Sequence, residues 1–116
     1  MNPRSPSSYT DLAYSQQLAA DYEGELIFVP RHGWHAWDGE LWMLNPDAAM
    51  RAAKSLAERR LQAALDTHTH YDTPVKLAIG RCSAARIRAS LKLAETDERL
   101  TMSYAQLQAH PGPEPV

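Results

Sequence analysis

Asp38 and Gly39 form the dipeptide that most limits how this chain can fold. Asp-Gly between two β-rich runs is a strong hairpin signal, because a type I′ turn needs positive φ at both central residues. The run GWHAW precedes the dipeptide, ELWML follows it, and ELIFVP lies upstream. We therefore predict a three-stranded antiparallel meander over residues 25–44, in which a two-residue turn pairs Trp37 with Glu40.

All three tryptophans of the chain lie in this predicted hairpin. Because side chains alternate along a strand, Trp34 and Trp37 are expected on opposite faces of the sheet. We expect Trp34 and Trp42 in the core, since a small sheet needs large apolar anchors to pack on its helices. Trp37 is the indole that we expect to stack on a base or on a partner protein.

Helical patterns occupy most of the remaining chain. Predicted helices cover residues 11–22, 45–65, from Pro74 to about Arg81, from Ser83 to Glu95, and a short segment after Ser103. Thr10 and Asn45 are suited to cap the first two, and Ser103-x-x-Gln106 is a capping-box match. The pattern predicts an α+β protein, with the small antiparallel meander packed on a bundle of four to five helices.

Length and composition limit the organisation of the chain. Its 116 residues are enough for one domain, and we place that domain at residues 10–110. Residues 1–9, rich in proline and serine, are expected to be a disordered arm, and residues 111–116 a flexible proline-rich tail. There is no apolar run of about 18 residues, which argues against a membrane span. The single cysteine fits the reducing cytoplasm.

Charge is unevenly distributed along the chain. The net charge of -2 argues against a strongly basic nucleic-acid binder. Residues 51–92, however, carry nine Lys and Arg against three acidic residues. This segment is either a polyanion-binding face or the solvated side of ordinary helices. Arg81, Arg88 and Lys92 would form one row if residues 76–94 were nearly continuous helix. The candidate contact residues are Arg81, Arg86, Arg88, Lys92, Arg59, Arg60 and Trp37.

Catalytic and metal-binding motifs are missing from the sequence. It has no phosphate-binding glycine loop and no pairing of carboxylates suited to Mg²⁺. His68 and His70 lie in a predicted loop without an evident third ligand. Cys82 lacks a positioned base and is expected to be a partly buried helix residue. We therefore predict no enzymatic activity, no catalytic residue, no bound metal and no cofactor.

Four stretches of the chain follow one another in an order that resembles a known domain. They are TDLAYSQQLAADYEGEL, LIFVPRHGWHAWDGELW, MRAAKSLAERRL and CSAARIRASLKLAETDERL. The order, the Trp-Asp-Gly of the hairpin and the Arg-Ile of the later helix resemble the accessory domain that precedes the superfamily 3 helicase in phage and plasmid primases, related to poxvirus primase-helicases. Two departures stand out: AYS replaces the family's GNA, and AHPGPEPV replaces the segment that leads into the helicase.

The resemblance implies a non-catalytic module of DNA replication, because the ATPase and polymerase sites of such proteins lie in other domains. The expected partners are single-stranded or forked DNA and a primase-helicase subunit or host protein, with oligomerisation left open. An alternative remains: a free-standing mobile-element protein that binds, and inhibits or regulates, host or rival machinery. In either case we expect a cytoplasmic protein of a bacterial host, without membrane contact.

Overall fold

In the computed structural model, which describes residues 6–109, five α-helices and three strands follow one another in the predicted order. The helices are α1 (Asp11–Tyr22), α2 (Pro46–Thr67), α3 (Thr73–Gly80), α4 (Ala84–Ala94) and α5 (Tyr104–Ala109), and the strands are β1 (Leu26–Val29), β2 (Gly33–Trp37) and β3 (Trp42–Leu44). The sheet is antiparallel with order β1-β2-β3. The predicted α+β class, a small meander packed on helices, is confirmed.

The predicted helix starts are confirmed by their hydrogen bonds. Thr10 Oγ1 and Asn45 Oδ1 each accept a backbone N–H three residues further on, at 3.0 Å. Ser103 Oγ accepts from the N–H of Gln106 at 3.1 Å, and the Gln106 side chain accepts from the N–H of Ser103 at 2.9 Å. This reciprocal pair is a capping box, which satisfies two N–H groups that a helix start leaves without partners.

The register between β2 and β3 differs from the prediction by two residues. Trp37 pairs with Trp42 rather than with Glu40, so the connection has four residues instead of two. Asp38 Oδ1 accepts the N–H groups of Glu40 and Leu41 at 2.8 and 2.7 Å, and these bonds stabilise the longer loop. Gly39 has a φ of +106°, but Asp38 does not have positive φ, which a type I′ turn would require.

The face of the sheet that contains Trp34 packs on the helices. Trp34 is 5% exposed, and its ring meets that of Phe28 edge-on at 5.3 Å. The buried apolar residues that join this core include Leu26 of β1, Leu18 of α1, Leu56 of α2, Val75 of α3, and Ile87, Leu91 and Ala94 of α4. The prediction that Trp34 belongs to the core is therefore confirmed.

Trp42 does not join that core, contrary to prediction. It is half-buried and lies opposite Trp37, with the two ring centroids 5.3 Å apart and the planes at 66°. A register shift by two residues leaves every side chain on its face, because the side-chain period of a strand is two. Trp42 thus shares the face of Trp37, opposite to Trp34, and contributes to a second aromatic contact instead of the helix-packed core.

The predicted disordered arm is wrong for its last four residues. Pro6–Tyr9 form a 3-10 helix, in which Ser8 is 1% exposed and Tyr9 is 8% exposed. The Tyr9 ring lies 6.4 Å from that of Tyr14, so burial of an aromatic side chain offsets the entropy lost on ordering. Residues 1–5 of the predicted arm and the predicted tail at 111–116 lie outside the described residues.

Candidate binding groove between β2, α2 and α4

Arg81, one of the predicted contact residues, is buried rather than exposed. It lies between α3 and α4, which are two separate helices, and only 6% of its surface is exposed. Its Nη1 donates to Oδ1 of Asp11, and its guanidinium carbon lies 4.6 Å from the centroid of the Tyr14 ring. A buried cation requires a partner of opposite charge, and Asp11 supplies it. The expectation that Arg81 joins a surface row of cations is therefore wrong.

Arg60 packs against aromatic rings of the N-terminal region. Its guanidinium carbon lies 4.1 Å from the centroid of the Tyr14 ring and 4.9 Å from that of Tyr9. Burial raises the pKa of the Tyr14 hydroxyl to about 12, although the nearby charges of Arg60 and Arg81 act to lower it. Tyr14 is therefore neutral at physiological pH. Arg60 connects α2 to α1 and to the 3-10 helix through cation–π contacts.

Arg59 and Arg86 pair with carboxylates of α1. Arg59 Nη2 lies 3.4 Å from Asp21 Oδ2, and Arg86 Nη1 lies 3.4 Å from Asp11 Oδ2. Both arginines stay largely exposed, with 51% and 53% of their side-chain surface accessible. Their charges are partly neutralised by these acids. They are less suited to a polyanion than the sequence predicts, because each positive charge already has a negative neighbour.

Arg88 and Lys92 lie together at the rim of an open groove. They are one helical turn apart on α4, a rise of about 6 Å, and both are exposed. The groove has a volume of about 540 Å³, within the size range of small-molecule sites. Its lining comprises Trp34, Pro46, Met50, Ala85, Arg88, Ala89, Leu91, Lys92 and Glu95. Two of the predicted contact residues are thus brought together beside an apolar wall.

The chain around the hairpin explains why Trp34 reaches this groove. The backbone N–H of Asn45 donates to the carbonyl of Trp34 at 2.9 Å, which ties the start of α2 to β2. Pro46 and Met50 of α2 then stand on one side of the groove and α4 on the other. Ala85 and Ala89, one turn apart on α4, have only methyl side chains, and this leaves the space between the helices open.

The Trp34 side chain has a buried donor with no acceptor. Its indole Nε1 is inaccessible to solvent and has no hydrogen-bond partner among the described residues. Leaving a buried N–H unpaired costs about 1–3 kcal/mol. This unpaired donor therefore belongs to a residue of the groove lining, although the atom itself is covered in this structure.

The charge of the groove is a small positive excess. Lys92 Nζ lies 3.2 Å from Glu95 Oε1, and 79% of the Lys92 side chain is exposed. Glu95 also lines the groove. Its carboxylate offsets one of the two positive charges, and Arg88 supplies the remainder. A ligand with an apolar body and a negative group would match this arrangement of apolar wall and cationic rim.

Trp37, the remaining predicted contact residue, lies on the face of the sheet opposite to the face that contains Trp34. It is half-buried against Trp42, next to the edge strand β3. Leu41, Met43 and Leu44 are 44%, 50% and 62% exposed, and we call these three residues the edge patch. Met43 and Leu44 point to opposite faces of β3, so what the edge patch shares is its place beside the unpaired edge of the sheet, where partner chains can add.

Sequence reasoning missed two parts of these surfaces. Trp34 was expected in the core alone, and its position in the groove follows from where α2 and α4 meet. The pairs Ala85/Ala89 and Arg88/Lys92, each spaced by four residues, are the signal in the sequence, because this spacing places each pair on one side of a helix. The edge patch consists of apolar residues that the predicted hairpin did not identify as exposed.

Two histidines contact nearby groups, and Cys82 lies in the turn between α3 and α4 rather than in a helix as predicted. His68 Nδ1 lies 3.5 Å from Asp72 Oδ2, and His35 Nδ1 lies 3.0 Å from the carbonyl of Gly33. Burial raises the pKa of the Cys82 thiol, so it is a poor nucleophile at neutral pH. Within residues 6–109, no three His, Cys, Asp or Glu side chains are grouped to hold a metal ion. No helix in the same range has the length and apolarity to cross a membrane.

Comparisons with protein-family models, with curated proteins and with solved structures found no match to this chain.

Proposed function

We propose that this chain is a non-catalytic binding module of a DNA-replication system, and that it contacts single-stranded DNA at the groove. The observation that carries the proposal is the pairing of two exposed cations, Arg88 and Lys92, with an apolar wall that contains Trp34. Proteins that bind single strands combine positive charge along the backbone with surfaces that accept bases. The resemblance to the primase-helicase accessory domain supports this choice of nucleic acid. The proposal places the protein in the cytoplasm of a bacterial host.

The contact is expected to be modest and strongly dependent on salt. Only two cations lie at the groove, and Glu95 opposes one of them. For single strands, the logarithm of the affinity falls with the logarithm of salt concentration by about 0.7 per phosphate contacted. Removing both cations should therefore reduce the slope by about 1.4 and weaken binding at low salt by roughly tenfold.

The test is a fluorescence-anisotropy titration of labelled single-stranded and forked DNA over a series of salt concentrations. The double variant Arg88→Gln/Lys92→Gln is compared with Lys54→Gln/Lys76→Gln, a matched control that removes two exposed cations from α2 and α3. We expect a loss of affinity and slope in the first variant alone. Absence of binding by the unmodified protein at low salt, or an equal loss in the control, would contradict the proposal.

A second candidate function is binding of a protein partner, and the edge patch favours it. Leu41 just before β3, and Met43 and Leu44 on it, expose apolar side chains, and the outer edge of β3 is not paired within the sheet. Edge strands of this kind are sites where partner chains add. The partner would be a primase-helicase subunit or, for a mobile-element protein that regulates other machinery, a host protein.

This second function is tested by affinity capture of partner proteins from a lysate of a bacterial host. Three baits are compared: the unmodified protein, the variant Leu44→Ser, and the control variant Leu12→Ser. Leu12 is 57% exposed on α1, so its substitution changes a comparable apolar side chain elsewhere. One stoichiometric partner that is lost with Leu44→Ser and retained with Leu12→Ser would support the protein-binding function. Equal capture by all three proteins would argue against it.

A further inference from the structure

We infer that the groove receives one unstacked nucleobase of the bound strand, while Arg88 and Lys92 contact the adjoining phosphates. This inference rests on the proposed DNA-binding function and names the part of the strand that enters the groove. A site for phosphate alone needs charge and hydrogen-bond donors, and it has no use for an apolar wall. Here most of the lining is apolar, and the charged groups come from α4 and from Glu95, which directly follows it.

The lining matches the chemistry of a base in two ways. Apolar side chains, among them Met50 and Leu91, cover the flat face of an aromatic ring without competing for its hydrogen bonds. The Trp34 indole then supplies a donor, since its Nε1 has no acceptor among the described residues. Every base carries ring nitrogens or carbonyl oxygens that accept hydrogen bonds. One donor therefore predicts a site that tolerates all bases.

Access to this donor requires a side-chain movement. Trp34 is 5% exposed and its Nε1 is covered. Met50, half-buried in the same lining, is unbranched and flexible, so it can change rotamer at low cost. In the inferred complex, the side chains of the lining rearrange so that the base reaches the indole N–H and accepts a hydrogen bond from it. The gain from pairing this buried donor is what distinguishes the base from an inert apolar contact.

The test compares two labelled octamers with equal numbers of phosphates: oligo(dT), and a strand in which all eight positions are abasic. Both are titrated by anisotropy at low salt against the unmodified protein, Trp34→Phe and Ala89→Leu. Trp34→Phe keeps an apolar ring but removes the donor, and Ala89→Leu fills the groove from α4 with a good helix former. Circular dichroism checks that both variants are folded.

We expect the unmodified protein to bind oligo(dT) roughly tenfold more tightly than the abasic strand. In both variants the preference should fall to about twofold or less, while affinity for the abasic strand stays within about twofold of the unmodified protein. Equal binding of the two octamers by the unmodified protein would overturn the base site and leave the DNA-binding function standing. A preference that persists in both folded variants would also overturn it, because the base would then lie elsewhere. Failure of both octamers to bind would overturn the proposed function together with this inference.

Discussion

Replacing Asp11 by alanine tests the assignment of Arg81 as a buried structural cation. Arg81 has 7% of its side-chain surface exposed, and Asp11 is the acid that pairs with it. Asp11→Ala leaves that guanidinium buried without a counter-charge, whereas Arg81→Met removes the charge and fills similar volume. The second change also removes Arg81 Nε, which has no hydrogen-bond partner among the described residues. The two halves of one ion pair are therefore expected to have unequal effects.

The magnitudes follow from the exposure of each partner. Breaking a buried pair by removing one member costs about 3–5 kcal/mol, and the lower end applies because 29% of the Asp11 side chain is exposed. Loss of an acid from the first turn of α1 adds about 0.3–1 kcal/mol. We expect the free energy of unfolding to fall by about 3–4 kcal/mol for Asp11→Ala. For Arg81→Met we expect a fall of about 1 kcal/mol, mainly the lost cation–π contact with Tyr14.

The assay is urea unfolding at constant temperature, monitored by circular dichroism. The slope m of the unfolding free energy against urea concentration is compared between variants to check for two-state behaviour. Asp21→Ala is the matched control, since Asp21 also lies on α1 and pairs with an arginine, but at the surface. Its cost should be below about 1 kcal/mol. If Asp11→Ala cost no more than Asp21→Ala, or less than Arg81→Met, the reasoning about the buried cation would be refuted.

Three further predictions concern pH, the hairpin and the groove. The folded-state pKa of Tyr14, about 12, lies above the ordinary value of 10.0, so stability should be lost as the pH rises from 10 towards 12. Tyr14→Phe should flatten this alkaline decline in a pH series of urea titrations; an unchanged decline would refute the assignment. Gly39→Ala should lower the unfolding free energy by about 1 kcal/mol because φ is +106° there. Gly80→Ala, where an added Cβ meets nothing within 4 Å, should raise it by about 0.5 kcal/mol, and thermal melts that show equal shifts would contradict this. Glu95→Gln should raise affinity for single-stranded DNA roughly threefold at low salt, because it removes a negative charge beside Lys92. An anisotropy titration that shows unchanged or weaker binding would count against the groove.

Local signals were sufficient for most of the secondary structure. The side chains of Thr10, Asn45 and Ser103 cap helices as predicted, because a cap depends on residues within one turn of it. The hairpin itself was predictable from its aromatic runs and from Asp38-Gly39. The register of the hairpin was not predictable. The Asp38 carboxylate accepts hydrogen bonds from two backbone N–H groups, and these bonds stabilise a four-residue loop in place of the two-residue turn. A side-chain hydrogen bond here decided between two turns that the same dipeptide allows.

The candidate site was predictable only in part. Arg88 and Lys92 could be placed on one side of a helix from their spacing alone. Whether a cation stays exposed depends on what the neighbouring elements present to it. Arg81 meets a carboxylate from α1, 70 positions earlier in the chain, and is buried. No local pattern in the sequence contains that contact.

The sequence by itself determined which segments are helix or strand, where most helices begin and that Trp34 belongs to the core. These properties arise from interactions between residues a few positions apart, and from a periodicity that a single chain displays. The tertiary structure alone decided that Arg81 is structural, that Trp34 lines a groove and that Trp42 joins Trp37. The physical reason is that burial, counter-charges and open space are created by elements that are distant in sequence and meet only when the chain is packed.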